Sequence, residues 1–381
     1  MLRKTGAIIM VTALCTGLCA CGTGSGGDGG SDSSSGSAGG ENISWNIGYN
    51  TWGSGDATFD FMADVIEQAL DSAGASYSRS SDDHMADKEL QNIQNFISAG
   101  VDGIVMQTTA DSIFPQAAEE CMESEIPFVM STFSGTDEDR ADVNGTNPYY
   151  LGTVTSDMYA EGYLMGKTAI EDGHKTALLL GGNVGDAHFE MRIEGFTQSF
   201  VTEGGGTILD EARCSNPGEG QEKANAMISA SPDADCLFAM VGDYVPGAIN
   251  AMSTLGVSMP VYCANANTDT ISYIRDGSVV AATAGNDLVG TVAACLLINY
   301  LDGHQILDDD GKSPELTNAG FLVNADNIDD FEEIFKTKGE PFPAEVIQTL
   351  LWRYNNDVSY DDFVNFIDEK LQLDSIVEMW K

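Results

Sequence analysis

Residues 90–129 read LQNIQNFISAGVDGIVMQTTADSIFPQAAEECMESEIPFV. Leu90, Ile93, Phe96 and Ile97 recur at helical spacing, so the first part is an amphipathic helix, and Gly100 stops it. GIVMQ (103–107) is a short apolar run, too brief for a helix and suited to a buried strand. Residues 111–124 return to helical spacing, and PFVMST (127–132) is a second apolar strand. Strands apolar on both faces, with a helix between them, belong to a parallel sheet covered on both sides.

The same cadence extends outward in both directions. On the N-terminal side lie SWNIGYN (44–50) as strand, 58–73 as helix and ASYSRSS (75–81) as strand. Beyond it come a helix over 156–172, TALLLGG (176–182) as strand, a helix over 188–203 and CLFAMV (236–241) as strand. Then follow 244–256 as helix, VYCAN (261–265) as strand, 268–276 as helix, VVAATAG (279–285) as strand and 287–301 as helix. A chain of 381 residues is long enough for two such lobes rather than one core. The expected fold class is α/β: two doubly wound parallel-sheet lobes, a three-strand hinge, a ligand cleft between the lobes and a helical C-terminal extension. The expected boundaries are 44–153 with 287–322 for the N-terminal lobe, 154–286 for the C-terminal lobe and 323–381 for the extension. Chain crossings are expected near 153–155, 286–287 and 320–323.

The N-terminus has a different composition. Arg3 and Lys4 precede a short apolar run, AIIMVTALCTGL (7–18), which suits a secretion signal and falls short of the roughly 20 residues that span a bilayer. The stretch LCAC (18–21) resembles a bacterial lipobox, with small Ala20 before Cys21, so residues 1–20 read as a signal peptide and Cys21 as the lipidated residue. Residues 22–43 are rich in glycine and serine and form a flexible tether. The GxGxxG at Gly22–Gly27 has neither a strand before it nor a helix after it, so it is not a dinucleotide site. These features place the protein outside the cell on its membrane, lipid-anchored, or in the periplasm.

The formal charge is −42, which repels nucleic-acid phosphates and anionic headgroups; no nucleic-acid partner is expected, and contact with the membrane is through the lipid alone. Cys121, Cys214, Cys236, Cys263 and Cys295 are scattered without a CxxC, which gives no zinc pattern and no disulfide framework, and leaves one disulfide through Cys214 open. An enzyme is disfavoured: there is no GxSxG, HExxH or Walker loop, and only four histidines. Asp308–Gly311 fails EF-hand spacing, so no metal or cofactor is expected.

In open parallel sheets ligands bind beyond the carboxyl ends of the strands. Those ends carry Asn50 and Trp52, Gln107, Thr132 and Phe133, Asp243, Asn265 and Asn286, with His188, Phe189 and Arg192 in the loop after TALLLGG. Amides donate and accept hydrogen bonds, a guanidinium forks onto adjacent oxygens, and aromatic rings cover the C–H face of a small polar ring. The competing reading is that each Asn or Asp caps the helix that follows it.

The 90–129 stretch, LGTVTSDMYAEGYLMGKTAI (151–170), GDAHFEMRIEGF (185–196) and SPDADCLFAMVGDYVPGAINAMSTLG (231–256) together resemble type I periplasmic binding proteins, the substrate-binding components of sugar ABC importers, in their ribose/galactose-type branch. The resemblance covers residues 44–322. It implies an ABC permease as partner, a monomer, and ligand contacts from Asn50, Trp52, Gln107, His188, Arg192, Asp243, Asn265 and Asn286. Arg192 would be the strongest polar contact. The chain departs from the family where a charged or amide pair is usual after the PFVM strand, because it has Thr132–Phe133. A small neutral hydroxylated ligand, a sugar, deoxysugar or polyol, is therefore expected rather than plain ribose or galactose, with a nucleoside or other small polar metabolite as the alternative. A sensory binding protein that reports to a membrane receptor would use the same cleft. The tail 323–381 reads as three helices, over 327–337, 343–355 and 359–379, that either pack on a lobe or form a docking surface.

Overall fold

Asn46–Thr51 forms strand β1 in the interior of a sheet, and five of its six residues are buried. The computed structural model describes residues 44–55 and 57–381; the expected signal peptide, Cys21 and the expected linker lie outside the described residues. From β1 the chain runs through α1 (Ala57–Ala73), β2 (Ser76–Ser81), α2 (Ala86–Ala99), β3 (Gly103–Met106), α3 (Ile113–Glu123), β4 (Phe128–Thr132), α4 (Asp137–Thr146) and β5 (Tyr150–Ser156). It then builds α5 (Met158–Glu171), β6 (Thr176–Gly181), α6 (Ala187–Phe196), β7 (Thr207–Arg213), α7 (Gly220–Ala230), β8 (Cys236–Ala239) and α8 (Val245–Leu255). After these come β9 (Val261–Cys263), α9 (Ile271–Arg275), β10 (Val279–Ala284), α10 (Val289–Leu301), β11 (Glu315–Asn318) and β12 (Phe321–Asn324).

The strands divide into two sheets of six. One has the order β11-β5-β4-β3-β1-β2 and the other β12-β10-β9-β8-β6-β7. Every neighbouring pair is parallel except β10 with β12. The chain passes between sheets three times: from Ser156 to Met158, from Ala284 to Asn286 and from Asn318 to Phe321. The three crossings are tied to one another. Ser156 Oγ donates to the Asn286 carbonyl (3.1 Å), Asn318 Nδ2 to the Gly285 carbonyl (2.8 Å), and the Asp157 N–H to the Asn318 carbonyl (2.8 Å). Gly320 sits here with φ +69°, and a Cβ would fall 2.4 Å from the Ala284 carbonyl oxygen, so only glycine lets these segments run so close.

Several elements depart from the sequence reading. The strands β5, β7, β11 and β12 and the helices α4 and α7 were not legible as such. β7 (TILDEAR) is an edge strand with exposed polar residues, and β11 and β12 are four residues each. The expected boundary between residues 322 and 323 falls inside β12, which runs through Asn324 as an antiparallel edge of the second sheet. The helix expected over 343–355 stops early, as α12 (Ala344–Gln348). The one expected over 359–379 splits into α13 (Tyr360–Asn365), a π-helical turn and α14 (Leu373–Met379), and the first tail helix is α11 (Ile328–Glu332) with a π-helical continuation.

Helix α10 explains why the tail packs where it does. Val289–Asn299 are buried without interruption, so the helix is apolar on all sides and needs cover on all sides. The first sheet and α1 cover one side. The tail covers another, and Asn299 pins it: Nδ2 donates to the Leu350 carbonyl (2.7 Å) and Oδ1 accepts the Trp352 N–H (2.7 Å). Arg353 forks onto Asp302 at 2.7 and 2.5 Å and donates to the Ala73 carbonyl (2.5 Å). The tail also reaches the second lobe, where Arg275 of α9 pairs with Asp329 (2.7 Å) and Glu332 (2.5 Å). Cys121, Cys214, Cys236, Cys263 and Cys295 are free, buried thiols. No helix among the described residues is long and apolar enough to cross a membrane.

Candidate functional site

Both sheets turn the carboxyl ends of their strands toward one cavity of about 780 Å³, walled by both lobes. The first lobe contributes Trp52, Thr58, Phe59, Met62, His84 and Thr109. The second contributes His188, Phe189, Arg192, Asp243 and Asn265 from the expected set, together with Asp186, Tyr244 and Asn267. Asn50, Gln107, Thr132, Phe133 and Asn286 do not line it.

His188 bridges the lobes. Its ring lies 5.0 Å from that of Trp52, edge-on, and 4.3 Å from that of Phe133. Nδ1 is 2.9 Å from Asp186 Oδ1, and the same carboxylate accepts the His188 N–H (3.0 Å) as the cap of α6. Burial raises the Asp186 carboxyl, but the hydrogen bonds and charge of His188 outweigh it and hold the group below its usual range. Nε2 of His188 is buried without a partner. Trp52 is fixed by Nε1 donating to the Thr108 carbonyl (2.8 Å). A second bridge runs from Asn267 Nδ2, which donates to Thr58 Oγ1 (3.1 Å) across the cleft and to Asp243 Oδ1 (2.9 Å) within its own lobe.

Arg192 meets the cavity with its Nε already taken, donating to Glu161 Oε2 at 2.6 Å. Arg192 is 4% and Glu161 0% exposed, so this is a buried ion pair. Burial pushes the Glu161 carboxyl above its usual range even though Arg192 opposes it. Helices α5 and α6 pack tightly enough to set the pair, because a Cβ on Gly162 would fall 1.9 Å from the Arg192 carbonyl oxygen. Sequence reasoning missed Glu161. The signal was present, since it occupies the buried stripe Met158, Glu161, Gly162, Met165, Gly166, Ala169, where an acid is out of place.

The remaining expected residues are engaged inside the first lobe or at the hinge. Asn50 Nδ2 donates to Asp82 Oδ2 (2.7 Å), and Asn50 Oδ1 accepts from Asn92 Nδ2 (2.8 Å). Gln107 Nε2 donates to Thr132 Oγ1 (3.1 Å), while Gln107 Oε1 is buried without a partner. Thr132 is held at φ +69° at the end of β4, which turns the chain so that Phe133 meets His188. Asn286 is fully buried, with neither side-chain polar atom paired. Its neighbour Asp287 is 5% exposed, has an unpartnered Oδ1, and is pushed up to about 7, first by burial and then by Glu161. Among the described residues no group of acids, histidines and cysteines could hold a metal ion.

Two α/β lobes joined by three crossings, with an aromatic and polar cavity between them, define a two-lobed solute-binding protein. The chain belongs to the periplasmic binding protein domain family, whose model matches residues 47–305, and that family consists of binding proteins rather than enzymes. Among curated proteins it is similar to the xylose/arabinose-binding protein of Sulfolobus acidocaldarius, 25% identical over 56% of this chain and 49% of that one. The chain thus matches about half the length of that relative. Among solved structures, a galactofuranose-binding protein superposes with a TM-score of 0.67 at 20% identity, covering 77% of this chain and 99% of the other. The arabinose ABC-transporter binding component of Shewanella sp. ANA-3 gives a TM-score of 0.68 at 17% identity, covering 77% and 96%.

Proposed function

We propose that this protein is the solute-binding component of an ABC importer, anchored by a lipid on Cys21 to the outer face of the cell membrane, and that it captures a small hydroxylated ligand of the sugar or polyol class by closing its lobes. The carrying observation is the 780 Å³ cavity walled by both lobes, with rings from Trp52, Phe189 and Tyr244 beside the polar groups of Arg192, Asp243 and Asn265. Rings stack on the C–H faces of a sugar while the polar groups take its hydroxyls. The sugars named for the relatives, xylose, arabinose and galactofuranose, are in keeping with this ligand class. Arg192 presents its Nη atoms to the ligand, since Nε is held by Glu161. The hinge formed by the three crossings lets His188 and Asn267 dock on the first lobe once ligand is enclosed, which excludes water and strengthens the polar contacts. The protein acts as a monomer and delivers the ligand to a permease.

Thermal-shift screening of the purified protein against pentoses, hexoses, deoxysugars, polyols, nucleosides and amino acids tests the ligand class. A carbohydrate or polyol raises the melting temperature, and small-angle scattering at saturation shows compaction. A shift only with nucleosides or amino acids, or turnover of the ligand, overturns the reading. Intact-mass analysis of native material tests the anchor, through an acyl mass on an N-terminal Cys21.

A further inference from the structure

Beside the main cavity lies a recess of about 20 Å³ that shares Thr58, Asn265 and Asn267 with it. That volume holds one water-sized group. Its charged wall is Asp287, which has a buried, unpartnered Oδ1. The other walls include Phe61 of α1 and Phe331 and Phe335 of the tail, with Phe335 packed 5.3 Å from Phe61 and 4.7 Å from Phe331. The two tail rings lie beyond residue 305, where the family match ends.

The surroundings are short of positive charge. Asp186, Asp243 and Asp269 line the main cavity with two histidines, His84 and His188, the latter bonded to Asp186, and its one guanidinium, Arg192, is paired with Glu161. Asn267 spends Nδ2 on Thr58 and Asp243, and its Oδ1 on the Asp269 N–H. The recess therefore offers a carboxylate oxygen and aromatic faces to whatever enters, which is the environment that suits a small cation. Burial and then the charge of Glu161 push the Asp287 carboxyl up to about 7, although the charge of Arg192 and the Asn265 side chain oppose the shift. A hydroxyl could also donate to Oδ1, but only a cation favours the ionised carboxylate as well.

We propose that the recess receives an ammonium group carried by the ligand, so that the cleft prefers an amino-substituted sugar or polyol to the hydroxyl compound of the same shape. The proposal rests on the sugar or polyol reading above, and it replaces the neutral ligand expected from the sequence. An ammonium is the size of a water, matches the volume of the recess, and brings the donor that Asp287 Oδ1 lacks together with a charge that favours the carboxylate against burial. Bulkier N-substituents do not fit a one-water space, and anionic sugars meet a wall of carboxylates.

Calorimetry on the purified protein with matched pairs tests this: D-glucosamine against D-glucose, D-galactosamine against D-galactose, and 1-amino-1-deoxysorbitol against sorbitol, with N-acetyl-D-glucosamine as the uncharged amide. In at least one pair the amine binds about tenfold or more tightly, a ratio in keeping with a charge-assisted hydrogen bond to a buried group. Acetylation abolishes that gain, and Asp287→Asn brings the ratio close to one. Equal or tighter binding of the hydroxyl members overturns the ammonium assignment and leaves the carbohydrate reading standing. An amine preference that survives Asp287→Asn overturns the recess as its origin. Failure of all these ligands, with binding found only outside carbohydrates and polyols, overturns both. If Asp287→Asn does not fold, the wild-type ratios and the acetylated control decide.

Discussion

Replacing Arg192 by methionine keeps most of the side-chain stem but leaves Glu161 fully buried beside no cation. The cost has a ceiling set by proton uptake. An acid stranded in the interior can protonate, so at pH 7 its ionisation costs at most roughly 1.4 kcal/mol for each pH unit above its usual value. From the usual 4.5 of Glu161 that ceiling is about 3.4 kcal/mol. Because burial already holds Glu161 above 4.5 in the native pair, the expected loss at pH 7 lies below that ceiling. At pH 5.5 the same reasoning lowers the ceiling to roughly 1 kcal/mol, so the loss shrinks as pH falls. Urea denaturation of the wild type, Arg192→Met, Glu161→Gln and the double variant at both pH values measures this. The double variant should recover most of the stability while still lacking the guanidinium, so its ligand affinity reports on Arg192 as a contact, apart from its role in the fold. A loss that does not change with pH, or one that Glu161→Gln fails to relieve, would refute the buried-pair account.

Three further outcomes are expected. Glu89, buried on α2 with Oε2 accepting the Thr109 N–H (2.8 Å), is pushed up to about 8, first by burial, with Asp82 adding to it. Its native form holds a proton that the unfolded chain releases, so stability is full below about pH 4.5 and falls as pH climbs to about 8, by up to ~5 kcal/mol. Glu89→Gln should flatten that slope in pH-resolved denaturation curves, and an unchanged slope counts against it. Gly162→Ala should cost about 1–3 kcal/mol or more by forcing α5 from α6, whereas Gly145→Ala, in open space, should cost little; equal melting temperatures for the two would contradict the close approach. Asn299→Ala leaves the Leu350 carbonyl and the Trp352 N–H unpaired and should cost about 2–4 kcal/mol. Hydrogen exchange across residues 341–356 should accelerate in that variant, and unchanged protection would mean the tail is held by other contacts.

The alternation of short apolar runs with amphipathic stretches was enough to establish two parallel-sheet lobes, because a strand buried on both faces is built mainly of apolar residues and a helix covering it must carry an apolar stripe. GIVM, LLLG and CLFA are such strands, and all of them are buried in the structure. The ends of those strands pointed to the cleft for the same topological reason, and Trp52, His188, Phe189, Arg192, Asp243 and Asn265 do line it. Edge strands such as β7 escaped the pattern because one margin of an edge meets water and its residues can be polar. Tertiary structure alone decided which polar side chains remain available to a ligand. Asn50 and Gln107 stand at strand ends as expected, yet their hydrogen bonds run to Asp82, Asn92 and Thr132, residues that the linear order keeps apart. Glu161 and Arg192 are separated by 31 positions and meet because the glycine-lined faces of α5 and α6 come together. The recess at Asp287 exists only where α1, the hinge and the tail converge. Hydrophobic periodicity is a local property of the chain and can be read along it. The pairing of buried polar groups depends on distances across the fold, which no local pattern encodes.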